Sequence, residues 1–126
     1  MTLFSLVTIA GAATFCVDTA QGLQDALTTA QSNGQNDTIR IVQGTYTGNF
    51  VYESTQSHSL TIEGGYTTGC ASRIVNADNT VLDGNSTGRV LTLNSPSVAT
   101  SYTVDGLTLT GGYYYTEPYD PGGGLY

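Results

Sequence analysis

The residues of this chain that could carry chemistry are few and scattered. Its 126 residues include 10 acids, 3 arginines and one histidine. That histidine, His58, lies between two serines, without a Ser-His-Asp order or a G-x-S-x-G motif, so we interpret it as an exposed loop residue. Arg73, in the string C-A-S-R, falls in no recognisable catalytic motif and is interpreted as structural. The sequence therefore predicts no catalytic residue and no cofactor.

Two cysteines, Cys16 and Cys70, are the strongest candidates for a defined chemical role. In a secreted chain an even cysteine count favours a disulfide, which here would close the long loop between these two positions. Two buried thiols or half of a metal site are the alternatives. A single histidine and the absence of C-x-x-C spacing argue against zinc. No metal site is predicted from these residues.

Two aspartates are candidates for a cation site. Asp83 and Asp105 each precede a glycine, in the strings T-V-L-D-G and T-V-D-G. If the strings occupy equivalent positions in successive turns of the chain, their carboxylates stack about 5 Å apart and offer the oxygen ligands that calcium prefers. Asp-Gly is also a common turn dipeptide, and we favour that interpretation.

Tyrosines are concentrated near the C-terminal end of the sequence. Aromatic rings beside glycine-rich turns can stack on the C–H-rich faces of sugars. A loop packed on the outside of the molecule is the alternative, and we favour it. The carbohydrate-stacking candidates are Tyr113, Tyr114, Tyr115 and Tyr119.

The composition excludes some partners and favours a β-rich class. Charged residues make up only 10% of the chain and the net charge is −7, so no cationic patch exists for nucleic acid or for an acidic membrane surface. The chain also contains 16 glycines and 9 tyrosines, with many threonines and asparagines. This composition is typical of a β-rich extracellular protein with many tight turns.

The N-terminal segment 1–13 predicts a signal-peptide remnant or a first strand. The run at 3–13 is apolar and ends in small residues, but it has no basic start and is too short to span a bilayer. At the other end an apolar run begins at Gly124, which indicates a fragment of a longer protein. We therefore divide the chain into 1–13, an N-terminal cap with a helix at 14–34, and β-structure open at its C-terminal end at 35–126.

One helix is predicted over residues 18–31. Asp18 is the expected N-cap, with Gln21 at the third helical position as in a capping box. Gly34 is available for a left-handed turn after the helix. The apolar stripe at helical spacing consists of Ala20, Leu23, Ala26, Leu27 and Ala30.

The rest of the chain predicts short strands that repeat. The strands are expected at 38–42, 49–53, 59–63, 80–83, 89–93 and 102–109. L-T-I-E-G-G-Y at 60–66 and L-T-L-T-G-G-Y at 107–113 share five of seven positions, and glycines 44, 64, 84 and 106 recur at a nearly even spacing. A period in the low twenties without a leucine-rich signature predicts an all-β solenoid, the parallel β-helix.

Several strings together resemble a known family. They are C-V-D-T-A-Q-G-L-Q-D-A-L at 16–27, I-R-I-V-Q-G-T-Y at 39–46, E-G-G-Y-T-T-G-C-A-S-R at 63–73, T-V-L-D-G at 80–84, V-D-G-L-T-L-T-G-G at 104–112 and G-G-G-L-Y at 122–126. Over about residues 15–126 the chain resembles the N-terminal part of bacterial secreted right-handed parallel β-helix proteins. These include the pectate-lyase-like superfamily and the polymorphic outer-membrane-protein and autotransporter passengers.

The resemblance implies a fold more strongly than an activity. It implies a right-handed β-helix whose open end is capped by the N-terminal helix, and further coils beyond Tyr126. The function expected from it is a non-enzymatic extracellular or cell-surface domain of the adhesin, passenger or stalk type. The alternative is the N-terminal part of a β-helix polysaccharide lyase or glycoside hydrolase with catalytic residues beyond this sequence. Expected partners are a carbohydrate or a host or cell-surface ligand and the missing coils, with no nucleic acid and no membrane span.

Overall fold

The computed structural model describes residues 11–113 and Leu125. The described chain is mostly β-strand with a single α-helix, which confirms the predicted β-rich class. Of the segment 1–13, predicted as a signal-peptide remnant or a first strand, residues 1–10 lie outside the described residues, and Ala12 and Ala13 begin β1. The elements are β1 (Ala12–Val17), α1 (Ala20–Ala30), β2 (Asn36–Val42), β3 (Gly44–Thr47), β4 (Phe50–Glu53), β5 (Leu60–Tyr66), β6 (Thr80–Asp83), β7 (Leu91–Asn94), β8 (Tyr102–Asp105) and β9 (Thr108–Thr110).

The strands form three sheets in which every strand pair is parallel. The strand orders are β1-β2-β5-β8, β3-β6-β9 and β4-β7. The chain visits the sheets in turn, so that β2, β3 and β4 are followed by β5, β6 and β7, and then by β8 and β9. From β5 onward, each strand therefore pairs with a strand from the previous pass rather than with the strand before it in sequence, whereas β2 pairs with β1.

The core is built from alternate residues of these strands. In β2 and β5 the burial alternates along the strand, and Ile39 lies opposite Ile62, which in turn lies opposite Val104. Stacking of like residues in successive passes joins the apolar side chains into one column. The most deeply buried side chains include Leu23, Leu27, Ile39, Ile41, Tyr52, Leu60, Ile62, Leu82, Val90 and Leu91.

The helix begins one residue later than the sequence predicts. Thr19, in an extended conformation, is the N-cap, and its hydroxyl accepts a hydrogen bond from the Gly22 N–H at 2.9 Å. The prediction of Asp18 as N-cap was wrong. Gln21 does not complete a capping box, because its side chain instead donates to Asp25 one turn later. The apolar stripe is confirmed: Leu23, Ala26, Leu27 and Ala30 are buried.

Two glutamines of the helix segment bind the outer edge of β4. The Gln24 side-chain amide accepts from the Val51 N–H and donates to the Val51 carbonyl, both at 2.9 Å. The Gln31 side chain accepts from the Glu53 N–H at 3.0 Å, and the Gln31 carbonyl accepts from the Ser54 hydroxyl. These contacts satisfy backbone groups that an edge strand otherwise leaves without a protein partner.

The strand predictions were correct in part. Each of the predicted regions contains a strand, but β1 and β3 were missed as strands in their own right. The single strand predicted at 102–109 is two strands, β8 and β9, which belong to different sheets. The chain turns between them at Gly106, whose φ is +70°. Glycine adopts this left-handed conformation without the steric cost of a Cβ.

The predicted even period in the low twenties was wrong. L-T-I-E at 60–63 pairs with Tyr102–Asp105, whereas the similar string at 107–113 contributes β9, which pairs with β6 in another sheet. In the first sheet Asp37 pairs with Leu60 and Leu60 with Tyr102, so the step along the chain nearly doubles from one pass to the next. The period is uneven because the turns between strands differ in length. Strands of all three sheets have the same alternation of apolar and polar residues. Similarity between two strand sequences therefore does not show that the strands belong to the same sheet.

Candidate functional site

The predicted disulfide is present, and it lies on the outer face of the first sheet. Cys16 in β1 and Cys70 are bonded, with 6.0 Å between their Cα atoms. Cys70 lies in the 3-10 turn that follows β5, and the bond passes over β2, the strand between them. The Cys70 sulfur is 3.7 Å from the carbonyl oxygen of Arg40 in β2. The disulfide therefore links the edge strand β1, across β2, to the turn that follows β5.

A cluster of charged side chains lies beside the disulfide on the same outer face. The Arg73 guanidinium forms ion pairs with Glu63 at 3.1 Å and with Asp105 at 2.9 Å. Its Nε donates to the Gly64 carbonyl at 2.9 Å. Glu63 and Asp105 lie directly opposite each other in β5 and β8. Arg73 thus neutralises two adjacent carboxylates and joins the loop after β5 to the next strand.

Tyr66 provides a surface for two arginine side chains. The Arg73 and Arg40 guanidinium carbons lie 5.5 Å and 5.3 Å from the centre of its ring, within the range of a cation–π contact. Tyr66 is buried and its hydroxyl donates to Glu63 at 3.3 Å. The sequence analysis interpreted Arg73 as structural but did not find its partners, which lie 10 and 32 residues away.

The two aspartates proposed for calcium do not stack. Asp83 lies in β6, opposite Thr47 and Thr110, whereas Asp105 lies in β8 of another sheet. Asp83 accepts from the Asn85 N–H at 2.8 Å, the turn role that the sequence favoured. The geometric premise of the calcium prediction was wrong, because the two strings belong to different sheets. Within residues 11–113 and 125, no three His, Cys, Asp or Glu side chains are grouped to hold a metal ion.

Only one of the candidate carbohydrate-stacking tyrosines is described. Tyr113 is half exposed, at 51%, and its backbone N–H donates to the Gly88 carbonyl at 2.8 Å. Tyr114, Tyr115 and Tyr119 lie outside the described residues. An exposed ring anchored by its backbone is geometrically able to stack on a sugar, and the prediction for Tyr113 stays a prediction.

A row of threonines crosses the outer face of the first sheet. One threonine from each strand lies opposite the next, so that the hydroxyl-bearing side chains repeat at the strand spacing of about 4.8 Å. Their hydroxyls make no hydrogen bond to any residue that the structure describes. The row is Thr14, Thr38, Thr61 and Thr103. This part of the surface is polar, uncharged and regular, and the sequence analysis missed it because the four residues are far apart in the chain.

One carboxyl group is buried at the corner between α1 and the first sheet. Asp37 is only 3% exposed and accepts from the Asn33 side chain at 2.7 Å. Burial raises the pKa of Asp37 above its usual value, and the Asn33 hydrogen bond and the charge of His58 oppose that rise.

Burial likewise raises the pKa of Tyr46 to about 12, with a smaller contribution from Asp18. Its hydroxyl donates to the Val42 carbonyl at 2.6 Å, so Tyr46 acts as a buried donor.

An apolar cavity lies at the edge formed by the last strands. It has a volume of about 290 Å³ and is lined by Leu93, Tyr102, Val104 and Leu125. Leu93 belongs to β7, whereas Tyr102 and Val104 belong to β8. Leu125 forms a parallel bridge with Leu91 at the same edge. The cavity is therefore bounded by strand edges of two different sheets.

Comparison with known protein families, with curated proteins and with solved structures finds no match to this chain. In the described ranges, no helix combines the length and the apolar character needed to cross a membrane.

Proposed function

We propose that the three parallel sheets are the faces of a right-handed parallel β-helix and that α1 caps its N-terminal end. Three observations support this proposal: the chain visits the sheets in turn, each strand pairs in parallel with the previous pass, and inward residues stack in one column. The two glutamine contacts with β4 support the capping role of the helix. Parallel strands need long connections, and successive passes of a solenoid supply them.

We further propose that the chain is a non-enzymatic extracellular or cell-surface domain of the adhesin, passenger or stalk type. The observation that carries this proposal is the engagement of Arg73. A lyase needs a cation or a base that is available to contact the substrate. Arg73 instead donates to Glu63, Gly64 and Asp105, and these contacts stabilise the fold. The disulfide supports an oxidising compartment, since such bonds persist in secreted and surface proteins.

A polysaccharide assay that measures binding and turnover together tests this proposal. We expect the chain to be retained by immobilised neutral or acidic polysaccharide, without formation of unsaturated uronate products with or without calcium. Tyr113→Ala should weaken that retention, because the exposed ring supplies a stacking surface. Tyr66→Phe, at a buried ring, serves as the control that leaves the surface unchanged.

Two outcomes change the proposal in distinct ways. Product formation that Arg73→Ala abolishes would overturn the non-enzymatic function and favour the polysaccharide-lyase alternative. Retention on no polysaccharide would remove carbohydrate as the ligand and leave a protein on a cell surface as the partner to be sought.

A further inference from the structure

The Arg40 side chain carries a positive charge that no carboxylate of the described chain contacts. Arg40 faces outward from β2 and lies opposite Glu63 in β5. Both Glu63 oxygens are engaged elsewhere, because one accepts from Arg73 and the other accepts from the Tyr66 hydroxyl. Among residues 11–113 and 125, the Arg40 guanidinium has no ion pair and no hydrogen bond. In a chain with a net charge of −7, this cation is therefore left available for a ligand.

The Arg40 guanidinium is held in place by an aromatic ring rather than by a polar partner. Its carbon lies 5.3 Å from the centre of the buried Tyr66 ring. Its Nε is buried, whereas its two terminal nitrogens, which also have no partner among the described residues, are not buried. A guanidinium that is already positioned loses little side-chain freedom when it binds a ligand. Arg40 therefore presents two N–H-bearing nitrogens to solvent in a restricted orientation.

The charges around Arg40 favour a ligand group with a single negative charge. Arg40, Glu63 and Asp105 lie opposite one another in successive strands, and Arg73 is paired with both carboxylates. The two arginines and the two carboxylates cancel in charge. One added negative charge is therefore attracted by Arg40, whereas further negative charge is repelled by the neighbouring carboxylates. Because a guanidinium binds an oxyanion through two parallel hydrogen bonds, the surroundings favour a carboxylate or a sulfate ester over a polyanion.

The row of threonines supplies hydroxyl groups beside Arg40. Thr38 precedes Arg40 by two residues and shares its outer face, which places the two residues about 7 Å apart along the strand. Thr14 in β1 lies opposite Thr38. Neither hydroxyl is hydrogen-bonded to a residue that the structure describes, so each can donate to a ligand and accept from it. A ligand with hydroxyl groups next to its charged group is therefore complementary to both parts of this surface.

From these observations we propose that Arg40, Thr38 and Thr14 form a binding site for a singly charged oxyanion on a polyhydroxylated ligand. The oxyanion accepts hydrogen bonds from the two terminal nitrogens of Arg40, and the ligand hydroxyls pair with the two threonines. A carboxylate and a sulfate ester are two sources of the same chemistry. The site is separate from the Tyr113 surface and does not rest on the function proposed above, since neither Arg40 nor the threonines contribute to that surface.

Nuclear magnetic resonance titration of the intact chain tests the site. The probes are gluconate, glucose 6-sulfate and uncharged glucose, added at constant ionic strength while the Nε–H resonance of Arg40 is followed. We expect a saturable shift with a half-saturation of about 1 to 10 mM for at least one of the two anions, and no shift with glucose. A response to only one anion supports the proposal and identifies the source of the charge.

Variants separate the contribution of the cation from that of the hydroxyls. Arg40→Gln removes the charge and should weaken binding by about tenfold or more, and Arg40→Lys, which lacks the planar fork, should have an intermediate effect. Thr38→Val should weaken gluconate binding about threefold and leave acetate binding unchanged, because acetate has no hydroxyl. A merely structural role of Thr38 would weaken both. Thr45→Val, at an exposed threonine of β3, is the matched control and should bind as the original chain does.

Three results would overturn the proposal. The first is the absence of a saturable Arg40 shift with either anion up to about 100 mM. The second is binding that Arg40→Gln and Thr38→Val both leave unchanged. The third is tighter binding of the doubly charged inorganic sulfate than of glucose 6-sulfate, which would contradict both the single charge and the role of the hydroxyls. An intact disulfide and an unchanged circular dichroism spectrum establish that each variant is folded.

Discussion

Asp37 shows how one inward-facing position departs from the apolar pattern. It lies between Ala13 and Leu60 on the inner face of the first sheet, where its neighbours in the column are apolar. The hydrogen bond from Asn33 satisfies one oxygen, but burial still penalises the charged form. Because its pKa is higher in the folded chain than in the unfolded chain, the folded state binds the proton more tightly. Asp37 therefore opposes folding most at neutral pH.

Replacement of Asp37 by asparagine should show this pH dependence. We expect Asp37→Asn to raise the free energy of unfolding more at pH 7 than at pH 3. Below the unfolded-state pKa of about 3.8, the Asp37 carboxyl of the original chain is protonated in both the folded and the unfolded state, so the penalty for burying its charge disappears. Chemical denaturation at the two pH values measures the difference. Asp78→Asn, at an exposed position, controls for the loss of one negative charge from the chain. An effect of Asp37→Asn that is the same at both pH values would contradict the prediction.

At the scale of the elements, α1 acts both as a core-forming helix and as a cover for a strand edge. Leu23 and Leu27 are fully buried, and the helix stripe packs against β1, β2 and β4. On its flank, Gln24 occupies the place of a neighbouring strand beside Val51 by offering an acceptor and a donor. A helix that covers an edge in this way hinders pairing with other chains at that end.

Loss of the Gln24 amide should expose that edge. Gln24→Ala is expected to cost about 1 kcal/mol, since Val51 is exposed and water replaces the two lost hydrogen bonds. Amide hydrogen exchange should increase at Val51, whereas Gln21→Ala, on the exposed side of the same helix, should leave it unchanged. Equal exchange at Val51 in both variants would show that the Gln24 contact does not protect the strand.

At the scale of the whole molecule, the disulfide compensates for the weakest part of the first sheet. Within the described residues β1 pairs only with β2, and the bond from Cys16 to Cys70 ties it to the loop after β5. The same loop carries Arg73, which reaches β8 through Asp105. Covalent and ionic links thus connect three of the four strands, β1, β5 and β8, across the outer face of the sheet.

The bond should contribute substantially to stability. Its sequence separation of 54 predicts that the Cys16→Ala, Cys70→Ala double variant loses about 4 kcal/mol in the free energy of unfolding. Denaturant titration of the variant and of the oxidised chain measures this loss. Alkylation of the unreduced chain under denaturing conditions should add no label, and two labels in its intact mass would contradict the pairing. A loss below about 1 kcal/mol would show that β1 is held mainly by its pairing with β2.

The sequence by itself determined the local features. The stripe of Leu23 and Leu27 predicted the helix because its apolar residues recur once per helical turn, and the alternation around Leu60 and Ile62 predicted a strand because every second residue is apolar. The even cysteine count, together with the interpretation of the chain as secreted, predicted the bond between Cys16 and Cys70. Each of these inferences needs only the spacing of residues along the chain or their number.

The tertiary structure alone decided which strands are neighbours. The strings that contain Asp83 and Asp105 look equivalent in sequence, yet they lie in different sheets. Turns of unequal length set the register, and nothing in the apolar alternation records that length. For the same reason the Arg73 cluster and the row of threonines were invisible beforehand. Their members meet only because successive passes of the chain bring distant residues into register.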